Sequence, residues 1–465
     1  MLSPARPGRP PRNRARDCPF TDGGITRRAV GATKMFLKRL RRRVRSIALV
    51  EQLGPGLITG AADDDPSGIA TYSQAGAQFG FSLLWTMVLT YPLMTAIQLV
   101  SARIGRVTGA GLAANLREVM PGWLVLVLVA LLFITNTINI GADLAAMGAG
   151  AALVVGGGEH VLVIAFALVS LLMQIFLPYR RYARFLKWLT MSLLAYVAVL
   201  FMVKVEWGTA LRGLVWPSGR LGAKELLTIV AIFGTTISPY LFFWQSSQEV
   251  EEIGLDPKAE PLKDAPRQAR SELRRIRIDT FGGMAVSNLI AIAIIMSAAA
   301  TLHSAGKTDI SSAADAAEAL RPAAGPFAFA LFSLGIIGTG LLAIPVLAGS
   351  AAYAVGESRG WKCGLECKPW EAVGFYAVIA LATLIGITID WSPVDPMRAL
   401  FWSAVLNGVI AVPMMAAMMW VVSRHRLMGG LTAGLKLKIF GWLATAVMAI
   451  AVGAMAILHK AGSGS

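Results

Sequence analysis

The sequence predicts an all-α integral membrane protein with about eleven transmembrane helices, in which two five-helix halves form an inverted repeat and the first and sixth helices are broken. Composition is the first support: 55% of the 465 residues are hydrophobic and 15% are charged, whereas a soluble domain carries about 25% charged residues. Second, many apolar runs reach the roughly 20 residues that span a bilayer. Third, proline and polar residues interrupt two of these runs midway.

Apolar runs separated by short charged or Gly- and Pro-rich stretches predict the helices. In chain order they are 49–79 (interrupted), 81–104, 122–150, 160–177, 184–205, 225–248 (interrupted), 281–303, 326–354, 370–390, 397–423 and 437–458. We expect a disordered, basic cytoplasmic tail over 1–48, a first five-helix repeat over 49–205 and a second over 206–424. The second repeat includes a solvated cytoplasmic loop at 249–277, and 425–465 forms an eleventh helix with a C-terminal tail.

Basic residues orient the helices. Of the 43 Lys and Arg residues, 14 precede Ser46, and a basic run beside a first membrane helix indicates a cytoplasmic N-terminus. With that orientation most remaining basic residues fall in inner loops. The sequence therefore predicts a multi-pass protein of a bacterial-type plasma (inner) membrane, with the lipid bilayer as a partner. Because the positive charge lies at membrane edges, we predict no nucleic-acid binding.

The cysteines, the histidines and the known catalytic motifs give little support for a disulfide framework or an enzyme. The three cysteines, Cys18, Cys363 and Cys367, form no even framework, and we expect the last two to be an inert reduced pair in a loop. The four histidines fall at or near helix ends or in loops. No Ser/His/Asp set, HExxH motif or intramembrane Cys/His set is present, so we predict that the chain is not an enzyme.

The first break carries three carboxylates, Asp63, Asp64 and Asp65, followed by Pro66 and Gly68. Each charge would cost about 2.5–3.5 kcal/mol at the centre of a membrane helix, so such residues are kept where they face a cavity or a ligand. Proline lacks an N–H and glycine is permissive, so the helix should unwind here and free backbone carbonyls. A cation satisfies those carbonyls, with Asp65 as the charged ligand.

The second break lies in the sixth span, where Pro239 sits among small and hydroxyl residues from Gly234 to Tyr240. A proline kink with structural Ser and Thr residues is an alternative for this span taken alone. Two broken helices at corresponding places in two halves are typical of inverted-repeat transporters, whose substrate lies at the midplane between the breaks. Together the two breaks predict a cation transporter.

The motifs around the first break resemble the opening of the Nramp family of divalent metal transporters, which have the LeuT-like fold. The similarity extends over about residues 50–425, and the first-helix motif is its specific part. It is carried by Gly54-Pro55-Gly56, Asp65-Pro66-Ser67-Gly68, Gly76-Ala77-Gln78-Phe79-Gly80 with Leu84-Trp85, and Ala102–Gly109.

The resemblance implies site residues, and this chain departs from several. The Asp of the family's Asp-Pro-Gly-Asn signature falls on Asp65, whereas its metal-binding Asn position is Gly68. Ser238-Pro239-Tyr240 replaces the family's Met-Pro-His, and its carbonyl ligand falls at Thr235. Asp143 resembles an acidic residue of the family's proton route, but Ala146 stands where a Glu is usual. Tyr240 and Asn407 are further candidates, either for that proton route or for contacts that hold the metal ligands in place.

These departures favour a hard cation. A Met thioether favours transition metals over Mg²⁺, and Ser238 removes it, while Gly68 and Ser238 should enlarge the site. The pattern resembles the Nramp-related magnesium transporters, which carry Mg²⁺ and Mn²⁺ without obligatory proton coupling. We therefore expect Mg²⁺ and Mn²⁺ as cargo and no resident cofactor, with weak or no proton coupling. The metal set would be Asp65, Gly68, Thr235 and Ser238, with Asp64 and Asp63 assisting.

Two alternatives stay open. One is a proton-coupled Mn²⁺/Fe²⁺ symporter of the same family. The other is a transporter of organic solutes with the same fold, against which the acidic cluster at Asp63–Asp65 argues. The sequence leaves the oligomeric state open.

Overall fold

The computed structural model describes residues 59–60, 62–177, 191–217 and 222–463, and within these ranges the chain is helical with turns and contains no β-strand. The expected tail over 1–48 and the start of the first span lie outside the described residues, as do 184–190 of the fifth span. The longer helices are α1 Pro66–Phe79, α2 Trp85–Thr108, α3 Leu112–Val119, α4 Gly122–Val155, α5 Glu159–Phe176, α6 Leu194–Met202, α7 Trp207–Val215, α8 Ala223–Thr236, α9 Pro239–Leu255, α10 Ala269–Ala298, α11 Ala313–Glu318, α12 Ala328–Arg359, α13 Val373–Ile389, α14 Pro396–Ser423 and α15 Leu435–Ser463.

Within the described ranges, each predicted span coincides with a helix or a pair of helices. Eight helical stretches of the described chain are long and apolar enough to cross a bilayer, and two shorter apolar helices, Met191–Met202 and Val373–Ile389, match the fifth and ninth spans. The first span is represented by α1 and the short helical segment before it. The prediction of an all-α, multi-pass architecture is therefore confirmed.

Both interrupted helices restart at a proline. Asp65 and Ser238 precede α1 and α9 with extended backbone (ψ 170° and 132°), and Pro66 and Pro239 are the first helical residues. A residue before proline is driven out of the helical region, and proline fits the first helical position because that N–H has no intrahelical acceptor. The two prolines thus fix where the helices break.

One prediction about the connections holds only in part. The segment 249–277, expected to be a solvated loop, is helical at both ends, since α9 continues to Leu255 and α10 begins at Ala269. Residues 256–265 lie outside the helices, and most of the segment is exposed or half-buried. The two helical ends are joined by an ion pair, in which the Arg275 guanidinium lies 2.6 Å from the carboxylate of Glu249. Ion pairing allows Glu249 to be fully buried.

Three exposed tryptophans lie beside basic side chains. Trp361, Trp370 and Trp420 are 42%, 72% and 48% exposed, and each has a basic partner: Arg359, Lys368 and Arg424 lie 5.7, 5.5 and 4.9 Å from the respective ring centres. Tryptophan and basic side chains are enriched where a membrane meets water. All three pairs flank loops predicted to be cytoplasmic, and the orientation itself stays a prediction.

The broken helices pack at the centre of the described helices. Helix α1 packs against α8, α10 and α14, while α4 packs against α12, α13 and α14. The contact between α8 and α14 is backbone to backbone: a Cβ on Gly234 would overlap the carbonyl oxygen of Ala404 and lie 2.5 Å from the amide nitrogen of Gly408. Glycine at 234 therefore sets how closely the broken sixth helix approaches α14.

We expect Gly234→Ala to destabilise the protein by about 1–3 kcal/mol, the range typical of overpacking. The matched control is Gly282→Ala in α10, where nothing lies within 4 Å of an added Cβ and alanine should be neutral or slightly favourable. Thermal unfolding of the purified variants measures both. Equal midpoints for the two variants would contradict the close α8–α14 contact.

Candidate metal site

The two breaks face each other. A Cβ built on Gly68 of α1 would lie 3.2 Å from Oγ1 of Thr235 in α8. The Tyr240 hydroxyl of α9 lies 3.1 Å from Asp65 Oδ2 and 3.2 Å from the carbonyl oxygen of Ala62, to either of which it can donate. The structure thus brings together Asp65, Gly68, Thr235 and Tyr240, four of the residues selected from the sequence.

Asp65 is held by donors from its own helix and from α9. Its Oδ1 accepts from the Ser67 hydroxyl at 2.6 Å and from the Gly68 amide at 2.8 Å, while Oδ2 faces Tyr240. The carboxylate is therefore the N-cap of α1. A carboxylate offers about four lone-pair positions, so these three contacts leave room for a cation at an oriented, fully buried oxygen pair.

Asp63 and Asp64 share a contact with α10. The hydroxyl of Ser287 in α10 lies 2.6 Å from Asp63 Oδ2 and 3.1 Å from Asp64 Oδ1. Across the described ranges no three His, Cys, Asp or Glu side chains are arranged to hold one metal ion. Both carboxylates thus contact Ser287 while still interacting electrostatically with Asp65, so their expected help in binding a cation at Asp65 stays a prediction.

Ser238 is turned back onto its own helix. Its Oγ lies 2.7 Å from the carbonyl oxygen of Gly234 and 2.8 Å from that of Thr235, which are two of the carbonyls left free by the break. The Thr235 carbonyl, implied as a ligand, is thus already within reach of a hydroxyl donor. A cation would share this oxygen or displace the donor, and the Ser238 oxygen keeps lone pairs of its own.

The space beside Gly68 is filled. Besides Thr235, the Tyr72 ring lies 3.2 Å from the position of an added Cβ, so the expected enlargement at this position is taken up by neighbours. The shell of the break consists of oxygen atoms and an aromatic ring. A thioether lies close to Pro66 on the side of α4 and α12. A Cβ built on Gly340 would contact both the Met147 sulfur and the Pro66 ring, so these two side chains are neighbours.

Asp143, Asn139 and Asn407 have buried polar groups that none of the described residues satisfies by hydrogen bonding. Asp143 interacts electrostatically with Asp65 and with Tyr240, so it lies in the neighbourhood of the break. Interhelical hydrogen bonding, the default expectation for the intramembrane asparagines, holds for Asn136, whose amide donates to the Leu347 carbonyl and to Ser350 Oγ at 2.8 Å each.

The cysteine pair is separate from the break. Cys363 and Cys367 are free thiols in the connection between α12 and α13, and burial raises the pKa of the Cys363 thiol to about 12. A protonated thiol is a poor metal ligand and nucleophile. This agrees with the expectation of an inert reduced pair.

Two site residues escaped the sequence analysis. Ser287 lies in the seventh span, where a serine has no distinguishing pattern. Gln245 follows the second break, and its Oε1 lies 2.5 Å from the hydroxyl of Thr59 in the first half of the broken first helix. Only the three-dimensional pairing of the spans reveals either contact.

Comparison with known proteins decides the family. The model of the Nramp family (natural resistance-associated macrophage protein-like) matches residues 56–458. The chain belongs to the Nramp family. Among curated relatives, a divalent metal cation transporter MntH of Acidiphilium cryptum is 30% identical over 390 residues, covering 81% of this chain and 83% of the relative. Another MntH, of Verminephrobacter eiseniae, is 28% identical over 420 residues, covering 88% and 89%.

Solved structures agree on the fold. The manganese transporter of Eremococcus coleocola, in complex with an aromatic bis-isothiourea substituted compound, superimposes with a TM-score of 0.70 at 16% identity, covering 87% of this Nramp chain and 86% of that one. A nucleobase-cation-symport-1 family transporter has a TM-score of 0.54 at 13% identity, covering 88% and 93%. These likenesses support the LeuT-like fold, and the relatives are named as transporters rather than enzymes.

We expect Asp65→Asn to abolish high-affinity Mn²⁺ binding while leaving the helix start intact, because asparagine also caps helix N-termini. Affinity should fall by more than about 100-fold, since loss of an outer-shell partner alone costs about 10–100-fold. Isothermal titration on purified protein measures it, with Glu371→Gln at an exposed carboxylate paired to Lys362 as the control. Wild-type affinity in Asp65→Asn would remove Asp65 from the site.

Proposed function

We propose that the chain transports divalent metal cations, chiefly Mg²⁺ and Mn²⁺, by alternating access with weak or no coupling to protons. The observation that carries this proposal is the meeting of the two breaks around Asp65. One buried carboxylate faces hydroxyl and carbonyl oxygens of the other broken helix. Charged groups are retained at such depth in a membrane protein when they serve a substrate.

The donor set supports a hard cation. Mg²⁺ prefers oxygen ligands, keeps several of its waters and typically uses one or two carboxylates. Asp65, Thr235 and Ser238 offer oxygen only, and the sulfur that would favour softer metals is missing at position 238. The relatives are named as divalent metal cation transporters, and a solved structure of the same fold is named as a manganese transporter. Oxygen ligands also accept Mn²⁺.

A cavity lies beside the part of α1 that follows the break. It has a volume of about 330 Å³ and is lined by one face of α1, including Ala70, Gln74 and Gln78, together with residues of α8 and α14 such as Thr228 and Phe401. Ala70 follows Asp65 by little more than one turn. Because the break itself is buried while this cavity lies over the C-terminal half of α1, the conformation supports access from that side, which charge bias predicts to be external.

The histidines support weak proton coupling. His160 pairs with Asp390 at 2.6 Å, and the ring Nδ1 atoms of His303 and His425 contact the carbonyl oxygens of Ala77 and Gly429. All three lie at helix ends or beyond, and no histidine of the described chain lines the break. The usual titrating group near neutral pH is therefore missing where cargo would bind.

The competing function within the family is proton-coupled Mn²⁺/Fe²⁺ symport. A solved structure of the same fold is named as a manganese transporter, and Asp143 near Asp65 offers a carboxylate that can carry a proton. We further propose a bacterial-type plasma membrane with a cytoplasmic N-terminus, supported by the excess of basic residues at the predicted inner edge.

We expect Ser238→Met to shift selectivity from Mg²⁺ toward Mn²⁺ and Cd²⁺, because it returns a soft donor to the break. Ser238→Leu is the matched control, since leucine has similar bulk without sulfur and should depress all fluxes alike. Competition between the cations for uptake into proteoliposomes measures the ratio. The same Mg²⁺ to Cd²⁺ ratio in both variants would show that side chain 238 does not reach the ion.

Uptake with a pH-sensitive dye inside proteoliposomes tests the proposed function as a whole. We expect Mg²⁺ and Mn²⁺ to enter with far less than one proton per ion, because the break holds no histidine to accept it. Liposomes without protein provide the leak control. Acidification that tracks Mn²⁺ uptake, with no Mg²⁺ flux, would replace the proposal with the proton-coupled alternative.

A further inference from the structure

A pair of polar side chains on α4 lies buried beside the break. Asn139 and Asp143 are one helical turn apart, so they occupy neighbouring positions on one face of the helix. Both are 0% exposed. Their four terminal oxygen and nitrogen atoms have no hydrogen-bond partner in the described part of the chain.

Some other buried polar groups form hydrogen bonds within the described chain, although several, such as Asn407, do not. Glu357 is also buried, and it accepts from the Ser247 hydroxyl at 2.7 Å and from the Ala113 amide at 3.2 Å. Asn136, on the same face of α4 as Asp143, donates to Leu347 and Ser350. A buried carboxylate without a partner costs several kcal/mol, so Asp143 is favoured at this position if it meets a partner outside the described part of the chain, such as a cation.

The location of the pair points to the ligand. Asp143 interacts electrostatically with Asp65 and Tyr240, and Met147, one turn further along α4, packs near Pro66 at the break. Starting from Met147, the face of α4 runs past Asp143 and Asn139 to Asn136. Because the first residues of α4 follow an inner loop in the predicted orientation, this sequence of polar groups leads from the break toward the cytoplasm.

We propose that Asp143 and Asn139 form a second cation station, which receives the divalent ion after it leaves Asp65 and before its release on the cytoplasmic side. This proposal rests on the proposed function. A carboxylate with an amide oxygen and retained waters is a ligand set suited to Mg²⁺ or Mn²⁺. The groups that follow on this face, Asn139 and Asn136, do not titrate, so they can pass an ion between oxygen atoms but cannot accept a proton in turn.

Residual metal binding in an Asp65→Asn background tests the second station. We expect purified full-length Asp65→Asn in nanodiscs to retain one weak Mn²⁺ site, detected by electron paramagnetic resonance of bound Mn²⁺. Asp65→Asn/Asp143→Asn should lose it, and Asp65→Asn/Asn139→Leu should weaken it about tenfold or more, as expected for removing one partner of a metal site. Asp65→Asn/Glu357→Gln is the matched control, because it neutralises a buried carboxylate outside the path, and it should keep the weak site.

Transport by the single variant gives a second readout. Asp143→Asn should leave the Mn²⁺ affinity of the Asp65 site within about threefold while it slows Mn²⁺ uptake about tenfold, the pattern of a lost step after binding. Absence of bound Mn²⁺ in Asp65→Asn, or equal residual binding with and without Asp143, would overturn the second station. If wild-type protein carries neither Mg²⁺ nor Mn²⁺, the proposed function fails instead, and the two failures are therefore distinguishable.

Discussion

The burial of the Asp65 carboxylate at a helix break is the constraint on which the rest of this structure depends. A charge at this depth is tolerated only with oriented donors or a counterion. Pro66 and Pro239 open the two helices at the level where that charge lies, and Tyr240 connects the two breaks through a hydrogen bond to Asp65. The close packing of Gly234 on α14 positions the second break beside the first.

Asp65 has two roles that compete. It caps α1 through the Gly68 amide, and in the proposed function it also binds the cargo. The same holds for the Thr235 carbonyl, which lies within hydrogen-bonding distance of Ser238. To bind a cation, these ligands must first give up their internal hydrogen bonds. The lost bonds offset part of the binding free energy, so the site binds more weakly than one whose ligands have no such bonds. Such a balance suits a transporter, which must release its cargo.

The structural features that depend on local sequence pattern could be predicted from the sequence. Apolar run length predicted the helices, and Pro66 and Pro239 predicted both breaks, because a missing N–H acts wherever the proline sits. Prediction from the sequence failed for side chains whose position depends on a residue far away in the chain. Ser287 contacts two of the three adjacent carboxylates, and the ion pair of Glu249 with Arg275 joins the helices at the two ends of a segment predicted to be a loop. Which helices pack against each other cannot be predicted from a single sequence.

Anomalous scattering from Mn²⁺ in crystals of the wild-type protein is the most direct test of the central claim, since it locates the ion without any substitution. The strongest peak should lie between the two breaks, at the distance of a direct or water-mediated bond from the Asp65 carboxylate. It should be accompanied by displacement of the Tyr240 or Ser238 hydroxyl from its present acceptor. A strongest peak at Asp63 and Asp64 beside Ser287, or at a position remote from both breaks, would contradict the assignment of Asp65 as the charged ligand of the transported cation.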